Sequence, residues 1–260
     1  MSVATTTRVR SPRVLALRVI AVIYAVIAAI AMFGLPSLVF AWSTSGVELP
    51  LRTSYVIYGA LVGVLVPGLA LALLARPKPA VARSLLALLV AVLMAISIGF
   101  NPLHLVYVAV IALPAVLLFL LHPLNRWTFS RAEIDIPALA VVGAMAIPTA
   151  WYGVTMAINS RTTAWIDDAH DLTVHGQYSQ AAVFAFSLLL LGLVGSLRQC
   201  GRRIVAVLAA AAAVPVGIAG IVFPEDLMSP GVAGGAATIA AALVFAALAL
   251  RPGSETVASA

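Results

Sequence analysis

Residues 165–176, Trp-Ile-Asp-Asp-Ala-His-Asp-Leu-Thr-Val-His-Gly, gather three carboxylates and two imidazoles in one short stretch. On a helix, Asp167, Asp171 and His175 stand at i, i+4 and i+8 along one face, while Trp165, Ala169 and Leu172 turn the other way. Imidazole and carboxylate one turn apart could hold a divalent metal, since both offer lone pairs from fixed positions, or act as a His–Asp pair in general-base chemistry. Asp171 and His175 are the catalytic candidates. His170 lies in the same run, His104 follows Asn101-Pro102, and Asp226 follows Pro224-Glu225. Together His104, His170, His175, Asp171 and Asp226 form the candidate metal set, with a divalent metal as the implied cofactor. A plainer reading competes. An i, i+4 Asp–His pair on a solvated helix contributes only a few tenths of a kcal/mol, and a polar group just past a proline commonly caps a turn. No His-Glu-x-x-His, no pair of thiols, no Gly-x-Ser-x-Gly and no phosphate-cradling glycine loop occurs in the sequence.

The elements that must position these groups are apolar. Of 260 residues 63% are hydrophobic and only 9% charged, and the mean hydropathy of +1.12 excludes a soluble domain. The abundance of aliphatic residues excludes disorder, and a single cysteine excludes a disulfide scaffold. The net charge of +6 does not imply nucleic-acid binding: Lys78 is the only lysine, and the arginines sit in short clusters between apolar runs. The expected partner is the lipid bilayer. The Arg-, Ala-, Val- and Leu-heavy composition fits a GC-rich bacterial genome, which makes a bacterial plasma membrane the expected location.

Hydropathy predicts an all-α membrane protein with eight transmembrane helices near 17–41, 54–75, 81–100, 103–121, 136–158, 178–197, 203–223 and 232–250. The first apolar run is too long for a signal peptide and is expected to be retained. With the N-terminus inside, every basic residue except Arg52 and Arg161 falls on the cytoplasmic side, and six of the nine acids (Glu48, Asp167, Asp168, Asp171, Glu225 and Asp226) fall outside. That distribution predicts an N-in, C-in topology. Charge is therefore a sign of sidedness, and the acidic outer remainder is where a site is expected. His122, at an inner turn beside Pro123, reads as interfacial.

A period of about 122 residues runs through the chain. Trp42 and Tyr55 are 13 apart, as are Trp165 and Tyr178; Arg76 matches Arg198, Pro102 matches Pro224, and His104 matches Asp226. At an offset of 123, Glu48 meets Asp171 and Arg52 meets His175. This predicts a tandem parallel repeat of four plus four helices, related by an axis along the membrane normal. The expected organisation is a cytoplasmic segment 1–16, a first repeat 17–125, a linker 126–135, a second repeat 136–250 and a tail 251–260. Residues 165–176 are expected to form a separate interfacial helix stopped at Gly176. Gly59-Ala-Leu-Val-Gly63 should permit close helix approach, and Pro67, Pro114, Pro148 and Pro215 should disturb their helices. No ionisable residue is central to a span, which disfavours a proton-coupled pump. The milder polarity of Ser97, Thr149, Tyr152, Thr155, Ser187 and Asn159 lies mostly toward the outer halves.

Asp-Leu-Thr-Val-His-Gly-Gln-Tyr at 171–178, followed by Gly-Ile-Ala-Gly-Ile-Val-Phe-Pro-Glu-Asp at 217–226, resembles bacterial multi-span membrane families of unknown function that are loosely DRAM-like. In these an outer Asp-Leu-Gly loop pairs with a later Gly…Phe-Pro-x-Asp. The resemblance covers mainly residues 165–250. Thr173 stands in place of the glycine, and no histidine follows Asp226. The resemblance implies a multi-span fold and no particular reaction. Three functions follow as expectations: a polytopic protein of lipid or envelope physiology, a membrane-embedded metal-dependent hydrolase or lipid-modifying enzyme using the outer His/Asp groups, and a small-solute transporter.

Overall fold

The computed structural model describes residues 12–43, 51–74, 78–100, 104–122, 132–161 and 169–252, with the backbone alone at 104 and 169–175. Among them, seven helices are long and apolar enough to cross a membrane: α1 (Pro12–Phe40), α2 (Arg52–Ala72), α3 (Pro79–Gly99), then, beyond a shorter α4 (Leu105–Leu121), α5 (Ile136–Asn159), α6 (Ala169–Gly195), α7 (Arg202–Val222) and α8 (Gly231–Leu250). At 1.5 Å per residue α4 is about 25 Å long, against a hydrocarbon core of about 30 Å. The expected interfacial helix is not a separate element. From Ala169 the backbone runs without interruption into the span, and Gly176 lies inside α6 rather than ending it. Trp165, Asp167, Asp168 and Glu48 lie outside the described residues.

Three of the helices contain a widened turn, and prolines follow two of these. π turns occupy Ile27–Ala31 in α1, Gly59–Leu65 in α2 and Val108–Ala112 in α4. Pro67 and Pro114 stand second in the α segments that follow the last two. A proline lacks the N–H and crowds the carbonyl four residues back, and a widened preceding turn relieves both. Pro148 and Pro215 instead sit inside uninterrupted α-helix. In α1 the break is sharper: Phe33 takes a left-handed φ of 57°. The hydroxyl of Tyr58 donates to the Met32 carbonyl there, at 2.8 Å, so the broken turn keeps a partner where water is absent. Beside it α1 and α2 touch backbone to backbone. A Cβ built on Gly63 would lie 2.5 Å from the Gly34 carbonyl carbon, and one on Gly59 would meet Leu38 at 2.5 Å. The Gly59/Gly63 pair is therefore the close-approach surface its spacing suggests.

Half or more of the membrane window of α2, α3, α6 and α7 is buried, against 22% for α1, α5 and α8. The former are the central helices, and α2 packs on α7 while α3 packs on α6. Their shared core is dominated by alanine, valine and leucine, with Leu61, Leu65, Leu69, Leu88, Phe186 and Leu191 fully enclosed. Small side chains let the helices approach and gain dispersion contacts, the main attraction available where lipid is as apolar as leucine. The peripheral helices turn Ile23, Ile30, Ile147, Trp151 and Leu243 outward.

One end of the bundle is closed by arginines. The strand β1 (Glu133–Ile134) pairs antiparallel with β2 (Leu197–Arg198), and the Asp135 N–H donates to the Ser196 carbonyl at 2.8 Å. Asp135 caps α5 by accepting from the Ala138 N–H, while its Oδ2 takes Arg202 Nη1 at 2.7 Å. Arg202 is fully buried. Partial burial pushes the Asp135 carboxyl up, but the Arg202 and Ala138 hydrogen bonds and the charges of Arg202 and Arg198 outweigh it and hold it below the usual carboxylate range. His122, at the C-cap of α4, is also fully buried, and desolvation lowers its pKa.

Candidate functional site

At the opposite end, the described part of the expected His/Asp site has a structural arrangement. Asp226, in the turn between α7 and α8, accepts two hydrogen bonds on Oδ2, from the Thr53 N–H at 2.7 Å and the Thr53 hydroxyl at 3.0 Å. A carboxylate distant in sequence thus caps the start of α2, where the exposed N–H groups and helix dipole favour negative charge. The next residue, Ser54, receives Gln180 Nε2 on its carbonyl at 2.6 Å, and the Tyr107 hydroxyl donates to the Gly176 carbonyl at 3.0 Å. These bonds bring α2, α4, α6 and the α7–α8 turn together. All five candidate ligands lie on these elements, and Thr53 of α2 holds the fifth, Asp226.

The backbone puts Asp171 and His175 one turn apart on α6, as their spacing suggests, with His170 beside Asp171 and His104 at the start of α4. The side chains of His104, His170, Asp171 and His175 lie outside the described residues. Among the described residues no three His, Cys, Asp or Glu side chains converge as a metal site. The two arginines at this end also have structural roles. Arg161 donates through Nε and Nη2 to the Ile98 carbonyl, at 3.1 and 2.9 Å, closing the end of α3. Arg52 lies over the Phe223 ring at 5.3 Å, and Phe223 in turn stacks obliquely on Trp42 at 5.4 Å.

The larger feature is a cavity of about 450 Å³ lined by α5, α6, α7 and α8. Its walls are nearly all apolar, and at Gly192, Ala209, Ala210, Ala213, Ala241 and Ala242 they present little or no side chain. Toward the arginine end it is floored by Val142 and Phe245, which pack with Ala138, Ala206, Leu248 and Ala249. Toward the Asp226 end α7 and α8 meet through glycine: a Cβ on Gly235 would lie 2.4 Å from the Gly217 carbonyl oxygen. There the Tyr152 hydroxyl donates to the Met228 carbonyl at 2.6 Å. Between these two closures the cavity opens sideways. Trp151, a lining residue, is 74% exposed, and Pro148 and Ala237 beside it are exposed too.

Thr149, Tyr152 and Thr155 all line this space, at i, i+3 and i+6 of α5. Their clustering in a span was visible in the sequence, but the small residues facing them on α6, α7 and α8 were not. Asn159 lies exposed at the end of α5, Ser97 bonds back to the Leu93 carbonyl, and Ser187 is buried in α6. A chamber of this size and polarity falls within the ~300–1,000 Å³ of small-molecule sites and can hold a hydrocarbon ligand with few polar atoms. No family model matches the chain, and neither a curated protein nor a solved structure matches it.

Proposed function

We propose that the chain is a plasma-membrane protein of eight spans, N-in and C-in, built of two parallel four-helix repeats, and that it serves lipid or envelope physiology by holding a lipid-type ligand in its second repeat. The observation that carries this reading is the apolar cavity open toward the bilayer flank of α5 and α8. The pairing of helices supports the repeat. A half-turn that exchanges the halves swaps α2 with α6 and α3 with α7, and so turns the α2–α7 contact into the α6–α3 contact; both are present. The arginine-rich turns at the Arg202 end and the acids at the Asp226 end support the assigned sidedness.

Two measurements test it. Single cysteines introduced at Ser229 and Gly253 in a Cys200→Ser background should react with an impermeant maleimide from opposite sides of the membrane. Protein purified in mild detergent and extracted with solvent should release bilayer lipid at a fixed ratio to protein, above the amount released by an unrelated multi-span control. Equal release from both would refute ligand holding. The enzyme reading rests on one observation, the Tyr107–Gly176 hydrogen bond that sets the helix beginning at His104 against α6 just after His175; metal analysis of the same preparation separates it from the lipid reading.

A further inference from the structure

We infer that the cavity seats one acyl chain of an outer-leaflet glycerolipid, which enters sideways between α5 and α8 and lies along them with its oxygen-bearing end at Thr155 and its methyl end at Phe245. This rests on the lipid-holding reading and adds the ligand class, route and direction.

Shape argues for a single linear chain. The lining runs along α5 from Val141 to Met156, about 22 Å at 1.5 Å per residue, which exceeds the ~15 Å of one hydrocarbon leaflet. A space of about 450 Å³ drawn out over that length is narrow. Polarity fixes the direction. Thr149, Tyr152, Thr155 and Ser229 line the part toward Asp226, whereas Val142, Met145, Leu189, Gly192 and Phe245 line the part toward Arg202. The Tyr152 hydroxyl is committed to Met228 and that of Thr238 to the Gly234 carbonyl. The Thr149 and Thr155 hydroxyls, by contrast, make no hydrogen bond among the described residues. An ester carbonyl can accept from them, which a pure hydrocarbon cannot do. Access argues for a bilayer source. The exposed flank at Trp151, Pro148 and Ala237 faces the surface of a peripheral helix pair, so a chain can exchange without its apolar part crossing water.

The test places the purified full-length protein in nanodiscs of phosphatidylethanolamine and phosphatidylglycerol doped with phosphatidylcholine carrying a mid-chain diazirine. Irradiation should label inward positions such as Met145, Leu188 and Ala241. Ala241→Phe fills the chamber and should lower inward labelling about tenfold, since two methylenes excluded from it already account for that much. Ala240→Phe, exposed on the same helix, should leave it unchanged. Thr149→Val with Thr155→Val leaves the volume intact and should lower retention of ester lipid several-fold while retaining a long-chain alkane probe. Labelling confined to Ile147 and Leu243, exposed and outside the lining, overturns the inference and leaves lipid holding by another surface to the extraction assay. Inward labelling that the double valine variant leaves unchanged overturns the assigned direction. A chamber occupied in extracts by a non-lipid solute overturns both readings.

Discussion

Replacing Gly63 with alanine should drive apart the two helices that start the chain. A Cβ at this position would sit 2.5 Å from the Gly34 carbonyl carbon and 2.7 Å from both the Gly34 oxygen and the Leu35 nitrogen. Carbon atoms in contact normally stand about 3.5–4.0 Å apart, so α1 and α2 must separate by roughly 1 Å. All three obstructing atoms are backbone, and no side-chain rotation can relieve the clash. Inserting a methyl into such a contact costs about 1–3 kcal/mol, and the better helix propensity of alanine returns up to ~1 kcal/mol. The net expectation is about 1–2 kcal/mol of lost stability. Gly143 supplies the control, because a Cβ there meets nothing within 4 Å, and Gly143→Ala should be neutral or stabilising by up to ~1 kcal/mol. Sodium dodecyl sulfate titration of the protein in mixed micelles, followed by tryptophan fluorescence, measures both. If Gly63→Ala unfolds at the same detergent fraction as the parent while Gly143→Ala behaves as expected, the close contact at Gly34 does not support the fold.

Breaking the buried ion pair singly, as Asp135→Asn or Arg202→Met, should cost about 3–5 kcal/mol in the same titration, with the double variant recovering part of the loss; a double-variant loss equal to the sum of the two single losses would mean the pair is not coupled. Acidification should act in two steps. The lowered His122 pKa means the unfolded chain takes the proton first, so stability falls as pH drops below about 6.5, and His122→Asn should abolish that step. The lowered Asp135 pKa places its contribution above the unfolded value of about 3.9, to be lost below it; a titration flat from pH 7 to 3 contradicts both. Asp226→Ala should cost about 0.5–2 kcal/mol by uncapping α2, and Asp226→Asn, which keeps an acceptor for Thr53, should cost less. Loss of bound metal with full stability in Asp226→Asn would instead favour the ligand role.

Long apolar runs made the spans legible, since hydropathy needs no tertiary information, and the Gly59/Gly63 spacing foretold a contact because a helix puts those positions on one face. The partner, Gly34, was not legible: nothing local marks it as the residue opposite. Asp135 and Arg202 were counted as markers of sidedness, and only folding shows that Arg202, 67 positions later, returns to the cap of α5. Gly176 looked like a helix stop because glycine often is one, yet the helix runs on through Gln177–Gln180 into the apolar run from Ala181, and the Gly176 carbonyl serves Tyr107. The hydroxyls of α5 were noticed as polarity. The cavity they face was not, since it arises from missing side-chain volume on three other helices, and missing volume leaves no signature in a single segment.

The clasp at the arginine end also has a consequence for synthesis. Asp135 enters the chain 67 residues before the guanidinium that neutralises it, and the strand that pairs with Glu133 and Ile134 is made only after α6 is complete. A ribosome paused anywhere in α5 or α6 therefore holds a hairpin whose base is still unzipped, with a carboxylate that must stay in water. Arg202 closes it at the first residue of α7, so the α5–α6 pair is secured by the first turn of the helix that follows.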